Sequence, residues 1–489
     1  MSTGGVYQLI ANDGAQDKLL LATELLNKRL KEIQRLRAKH PAISDSTPTL
    51  ADIERTHVLF INSHYKPYVA VGYEYGKIGV QEGLVRLGKE VTFSIPQFGD
   101  FFNDMVLHVQ LRGLTTTAGN QVRYCDFLGH RLIQRVRFEV NGNFLDEYGT
   151  DVMNMHYNYT VPSDKRLSWL RCIGQETPHQ GLITLNPGVD EYREVKQIVD
   201  GPQTPKQSHE VVDLWIPLLL WFCLDSRLSI PSVSIPYGQR FIKILFAPAS
   251  LIARGTPAAN YTAPSVEICE LYINNLFVNP EIHDLFIRRI GFSLIRVHRQ
   301  NNLTVTDSSG QLKLDQLKYP TETLYIGLRP TINLSSMEDW HRYYFVDDRV
   351  VPYPVAIPNP VPPPLYLNAF STATYKLPIQ TLDTISLETH AIEIYPTIPA
   401  QFFRKYVPYR FGDNINAPDD PGLLMVTFNL YPGAYQPSGH LNLSRSREFY
   451  LYYSSSVVSS TVPCEMVVCA VALNFLLIAD GSAALRYNT

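Results

Sequence analysis

Cysteine is scarce in this chain. There are six in 489 residues, none in a CxxC pair, and the nearest two are Cys464 and Cys469. That excludes a disulfide scaffold and reads as free thiols in a reducing compartment. Charge is scarce too, at 18% of residues against a usual value of about 25%. A disordered chain and a charged coiled coil are excluded. The formal net charge of −3 provides no basic field to recruit nucleic acid, so no sequence-specific nucleic-acid binding is expected. Long apolar runs are missing. Leu214–Leu224 and Met466–Ala479 are the longest, and Pro217 and Asn474 break them. Both fall short of the roughly 18–20 residues that span a bilayer. Met1–Asp13 has no basic start followed by an apolar run, so no signal peptide is expected.

Proline, with 34 residues, and Tyr and Phe, with 29 and 22, are abundant. Few charges and many prolines and aromatics point to short strands joined by turns. Val136, Phe138 and Val140 alternate with Arg135, Arg137 and Glu139, and Asn141-Gly142 follows. This pattern predicts a half-buried strand entering a tight hairpin. Similar strands are expected at Val91–Ile95, Arg240–Phe246, Ile268–Val278, Ile290–His298, Ile385–Ile394, Met425–Leu430, Glu448–Tyr453 and Met466–Ile478, with a last one at Ala483–Tyr487. Little helix separates them, which argues against a parallel α/β sheet and for antiparallel sandwiches. The Pro-rich stretch Val351–Pro364 reads as a stiff extended loop.

Residues 1–46 differ. Leu19, Ala22, Leu26, Leu30, Ile33 and Leu36 recur at helical steps, and Pro41 ends the pattern. Lys28, Arg29, Lys31, Arg35, Arg37 and Lys39 load the second half, giving +4 over residues 16–39. A helix docked on its own body and a basic arm that touches a membrane surface or a partner protein both fit this pattern. A second helix is expected after Pro280, at residues 280–289, as a linker between two halves. The expected division is an arm (1–46), a first sandwich (47–279), the linker and a second sandwich (290–489).

The search for chemistry finds little. Gly83 to Lys89 has the GxxxxGK spacing, but Glu90 replaces the Ser or Thr of a phosphate loop, and a strand is expected where a helix should follow. There is no HExxH, no His/Cys set at zinc spacing and no GxSxG elbow. Paired carboxylates occur at Asp146-Glu147, Asp347-Asp348 and Asp419-Asp420; neighbours on a strand point to opposite faces rather than form a dyad, and Asp419-Asp420-Pro421-Gly422 reads as a turn. No catalytic residue, cofactor or metal is therefore expected. Trp215 and Trp221 lie in an apolar run and read as core. A jelly-roll carbohydrate-binding module or glycosidase is the alternative function. It would need an exposed aromatic row or two carboxylates across a cleft.

Several segments carry a resemblance. They are Ile-Pro-Gln-Phe-Gly-Asp-Phe-Phe at 95–102, Val-Asn-Gly-Asn-Phe-Leu-Asp-Glu-Tyr at 140–148, the long run from Glu270 to Phe286, Ala-Pro-Asp-Asp-Pro-Gly at 417–422, Tyr435–Arg445 and Asn474–Tyr487. They resemble the major capsid proteins of African swine fever virus and related large DNA viruses, in order and along the whole chain. The resemblance implies an all-β fold of two tandem eight-stranded antiparallel jelly rolls with an N-terminal helical arm. It implies a homotrimer that forms pseudo-hexagonal capsomers in an icosahedral virion shell, assembled in the host cytoplasm. Neighbouring capsomers, minor and penton capsid proteins and an internal membrane layer are the implied partners. The arm, through Lys28, Arg29, Lys31, Arg35, Arg37 and Lys39, would then meet the inner layer. Loops at Arg112–Arg123, Asn186–Gly201 and Ala247–Val266 are shorter here than in relatives, where they build the outward tower.

Overall fold

From Met105 to Leu111 every second side chain is buried. Met105, Leu107, Val109 and Leu111 point inward, while Val106, His108 and Gln110 point outward. A period of two is what a sheet with one core face requires. The computed structural model describes residues 72–184, 193–235, 239–256, 261–278, 291–355, 369–411, 414–443, 448–479 and 482–486, with Lys31, Glu32 and Arg35.

The first eight-stranded unit comprises β1 (Gly72–Gly79), β2 (Glu90–Ser94), β3 (Phe101–Leu111), β4 (Ile133–Val140), β5 (Asn143–Gly149), β6 (Val212–Pro217), β7 (Arg240–Phe246) and β8 (Val266–Phe277). They pair as β1-β8-β3-β6 and β2-β7-β4-β5, all antiparallel. The second unit comprises β9 (Gly291–Val305), β10 (Ser309–Lys313), β11 (Pro320–Pro330), β12 (Thr384–Thr389), β13 (Ile392–Pro399), β14 (Leu423–Thr427), β15 (Phe449–Ser454) and β16 (Cys464–Ala479). These pair as β9-β16-β11-β14 and β10-β15-β12-β13. The strand order is the same in both units, and it is that of a jelly roll: two sheets face to face around one core. Val91, Phe93, Phe138, Ile242 and Ile244 fill the first core, and Leu324, Ile326, Leu387, Leu451 and Met466 the second.

The Asn141-Gly142 hairpin forms as expected, both residues taking the positive φ that a two-residue turn requires. Ile385–Ile394 is not one strand. It is a hairpin, β12 and β13, whose turn residues His390 and Ala391 also have positive φ. Neither is the Gly or Asn that usually marks such a turn, and Ala391 disfavours the conformation, so the sequence carries little turn signal there. The Pro-rich stretch is also corrected in part. Phe345–Val355 pairs with Ala369–Ile379 as a two-stranded ribbon. Pro352 and Pro354 share one parity, so both can sit where their missing N–H costs no ladder bond. The expected linker at 280–289 lies outside the described residues.

Two of the loops expected to be short, Arg112–Arg123 and Ala247–Val266, come together on the first roll. Gln121–Tyr124 pairs with Ala253–Thr256, Val122 bridges Lys206, and Thr116 bridges Tyr261. The Gly83–Lys89 segment leads directly into β2, a strand where a phosphate loop would open a helix.

One backbone crossing fixes the second roll. The chain at Tyr343 passes between Gly327 and Gly422. A Cβ on Gly422 would lie 1.8 Å from the Tyr343 carbonyl oxygen, which is backbone and cannot swing aside. Gly422→Ala should therefore destabilise the protein by about 3 kcal/mol. Denaturant unfolding would measure it, and a loss below roughly 0.5 kcal/mol would show that the crossing is loose.

Candidate functional site

Where the two rolls meet, polar side chains are buried at high density. Helix α1 (Leu128–Leu132) precedes β4, and helix α2 (Thr150–Tyr159) follows β5 directly. Asp151, in the first turn of α2, points out of the first roll into the second. Its Oδ1 accepts from Arg329 Nη1 at 2.9 Å and from the Tyr343 hydroxyl at 2.7 Å, and its Oδ2 accepts from Gln300 Nε2 at 2.9 Å. Arg329 is 4% exposed and also donates to Glu465 at 2.6 Å. Burial alone would raise the Asp151 carboxyl, but Arg329 and the Tyr343 hydroxyl outweigh it and hold the group below the usual carboxylate range.

A second carboxylate does the same one strand earlier. Asp146 on β5 is fully buried and accepts from the His298 backbone N–H at 2.9 Å, with His298 Nδ1 at 3.1 Å. Its neighbour Glu147 faces the other way and accepts from Arg137 at 2.6 Å, so the adjacent carboxylates form no dyad. In the pair Asp419-Asp420, Asp419 meets Arg166. Asp420 accepts the backbone N–H groups of Tyr343 and Gly422, and its burial pushes it up to about 6.

The segment after β11 straps the joint from the other side. Arg131 of α1 donates to the carbonyls of Leu334 and Ser336 at 2.7 and 2.8 Å, and lies over the Trp340 ring. Trp340 Nε1 donates to the Asp126 carbonyl at 2.7 Å. Arg123 bridges Asp126 and Glu338. Beneath this strap His130 is completely buried. Trp169 Nε1 donates to His130 Nε2 at 3.0 Å, so the ring proton sits on Nδ1 and is donated to Asn154 Oδ1 at 2.9 Å. Burial pushes His130 down to about 4.

A cleft of about 940 Å³ remains between the rolls, lined by Trp221, Cys223, Arg296, His298, Glu322 and Tyr435 among others. Arg296 is held by Glu322 at 2.6 Å and by the carbonyls of Ala434 and Tyr435. Burial raises the thiols of Cys223 and Cys469 far above their ordinary value. They are therefore not activated nucleophiles. Among the described residues no group of three or more His, Cys, Asp and Glu side chains gathers at metal-binding distance. The arrangement is suited to fixing one roll on the other.

Of the arm residues singled out in the sequence, Lys31 and Arg35 are helical and exposed. Lys28, Arg29, Arg37 and Lys39 lie outside the described residues. Trp221 is core, as expected, but Trp215 is not. Leu214 and Ile216 point inward, so Trp215 on β6 points outward, 37% exposed and stacked on His108 at 4.1 Å. Sequence reasoning missed Asp146, Asp151, His298 and Arg329. The available signal was Arg329 itself, a charge that closes the apolar run Leu324–Leu328.

Residues 63–279 match the family model for the major capsid protein N-terminus, and residues 279–484 match that for the large eukaryotic DNA virus major capsid protein. The major capsid protein of a warthog isolate of African swine fever virus is 34% identical over 654 aligned positions covering 100% of both chains. The chain belongs to the major capsid proteins of large eukaryotic DNA viruses. The structure of the Faustovirus major capsid protein superposes with a TM-score of 0.76 at 36% identity, covering 96% of this chain and 100% of that one. The major capsid protein of Paramecium bursaria Chlorella virus 1 is 21% identical over 84% of this chain and 86% of its own. The protein is thus a structural component of the virion capsid rather than an enzyme, and the carbohydrate-binding or glycosidase alternative is set aside. The alignment of 654 positions against 489 residues means that the African swine fever virus protein carries residues where this chain has none.

Two predictions concern the joint. Removing one partner of a buried ion pair costs about 3–5 kcal/mol, whereas replacing both by apolar groups costs much less. Asp151→Ala should show the full loss in denaturant unfolding, and Asp151→Leu with Arg329→Met should recover most of it. Equal losses would mean that the pair adds nothing beyond its packing.

Acid should also loosen the joint. His130 is neutral in the fold and takes up a proton near 6.5 when unfolded. Its contribution is complete above pH 6.5 and is lost as pH falls toward 4. Asp126 and Asp420, both raised to about 6 by burial, work in the opposite sense over much of that window. The clean readout is therefore the difference between wild type and His130→Gln, whose amide oxygen can still accept from Trp169. The variant should lose less thermal stability between pH 6.5 and 4, and parallel profiles would remove His130 from the account.

Proposed function

We propose that three copies of the chain close into a ring of six rolls, and that these pseudo-hexagonal capsomers tile an icosahedral shell. The observation that carries this reading is the repetition of one strand order in two consecutive rolls. Two like modules per chain, three times over, give a near-hexagonal outline that packs without gaps. Head-to-tail contacts of this kind close into rings when the rotation allows. Neighbouring capsomers and minor and penton capsid proteins are the partners such a shell needs. The N-terminal arm lies on the inner face in this reading. Lys31 and Arg35, both helical and exposed and four residues apart in sequence, support a basic surface there. With Lys28, Arg29, Arg37 and Lys39 it would meet acidic lipid or a minor capsid protein, each cation contributing about 1 kcal/mol near an anionic surface.

Native mass spectrometry of the purified chain should report a trimer, and a stable monomer at micromolar concentration would overturn the proposal. Deleting residues 1–40 should leave the trimer intact and weaken attachment to the inner layer, with the deficit narrowing as salt rises. A deletion that prevents folding, or that leaves attachment and its salt response unchanged, would remove the arm from this role.

A further inference from the structure

The two rolls are alike in topology but differ in what covers them. In the second roll the outer face of the β9-β16-β11-β14 sheet is buried beneath the first. Every residue of β11 except Tyr325 is buried, on both faces. What covers it is the β4–β5 hairpin and the helix that follows: Asp146 and Asp151 reach β9 and β11, and Tyr159 of α2 packs on Tyr325 at 4.6 Å. In the first roll the equivalent face is open. The outward residues of β3 are half-exposed, Tyr73 and Tyr75 on β1 are 59% and 47% exposed, and Trp215 stands on β6.

The second roll also repeats the covering element. The β12–β13 hairpin has a register shift between Leu387 and Glu388, where β4–β5 has one between Phe138 and Glu139. A helix follows β13 as α2 follows β5, with a π-turn over Phe402–Tyr406 and an α-turn over Val407–Arg410. Phe402, Lys405, Tyr406, Tyr409 and Arg410 are exposed at steps that place them on one side of that helix, Tyr409 at 81%. This is an aromatic ridge flanked by two cations. The open face of the first roll is aromatic and acidic, with Asp104 bound to the Tyr75 hydroxyl and Asp213 bound to His108 and Trp215.

We infer that the helix at 402–410 of one copy docks on the β1-β8-β3-β6 face of the next copy, repeating between chains the joint that α2 makes within one. The occupant is a second copy of this chain. Three observations carry this: the equivalent face is covered in the second roll, the equivalent covering element is exposed in the second roll, and the two exposed surfaces are complementary in charge and aromatic content. The polarity is reversed relative to the internal joint. There a carboxylate on the helix, Asp151, meets an arginine on the sheet, Arg329; here cations on the helix meet carboxylates on the sheet. Reversal keeps each helix on its own kind of face. The inference rests on the trimer reading and names the surfaces that close it.

The test uses full-length chains. One variant carries Tyr406→Glu and Tyr409→Glu, which spoils the helix and leaves the face. The other carries Tyr75→Glu and Trp215→Glu, which spoils the face and leaves the helix. Lys405→Glu with Arg410→Glu is the milder helix variant should the first fail to fold, as judged by thermal melting. Native mass spectrometry should find wild-type trimers, each variant alone as a monomer, and the equimolar mixture as a 1:1 pair that grows no further, because only one intact helix meets one intact face. Variants that remain trimeric overturn the docking and leave the trimer standing. Monomeric variants that do not pair on mixing also overturn it, since the two surfaces are then not halves of one joint. A monomeric wild type overturns the trimer, and the docking falls with it.

Discussion

The position of one roll on the other depends on a carboxylate and a guanidinium buried together, Asp151 and Arg329, 178 residues apart in sequence. Neither charge would be tolerated alone at that depth. The rest of the joint serves the pair. Tyr343 and Gln300 fill the remaining acceptor sites on Asp151, and Glu465 takes the far side of Arg329. Tyr343 reaches its place only because Gly327 and Gly422 leave room for its ring and backbone. A hydrophobic joint could slide; a buried ion pair held by directional hydrogen bonds from several elements has one register. For a shell protein a fixed angle between modules matters more than the net energy of the contact.

That fixed angle makes the repetition of the fold useful. If the chain forms a ring, each internal joint sets the turn that the joints between chains must match. Burial follows this division. The outer sheet face of the second roll is largely buried and ionic because its cover is covalently supplied. The matching face of the first roll is left aromatic and acidic at the surface. Tyrosine, tryptophan and carboxylates can stand in water before assembly and still bury area afterwards, which a row of leucines could not do without aggregating.

Much of the fold was legible in the sequence. Alternation marked β7 with its observed limits, and β4 through its Asn-Gly turn. It failed where the physical premise of alternation failed. β11 is buried on both faces and so shows no period of two. The turn at His390-Ala391 is held by the sheet on either side rather than by its own residues. Trp215 was read as core because it sits in an apolar run, yet a strand sends neighbours to opposite faces. The joint was least legible. Asp146, Asp151, His298 and Arg329 come from separate strands and a helix, and no local pattern links them. What the sequence did show of them was a lone charge ending an apolar strand.

The lack of catalytic chemistry and the richness of polar contacts have one origin. A catalytic group needs a shifted pKa together with access to a substrate. Here the shifted groups His130, Asp151, Cys223 and Tyr343 are each shifted by burial or by a partner that also closes them in. Their perturbation is a by-product of being used as fasteners. Trp215 and Tyr409, exposed aromatics flanked by charged side chains, lie on a sheet face and a helix surface rather than in the cleft. Surfaces of this kind suit the self-assembly proposed above, and the chemistry of the chain goes into holding angles.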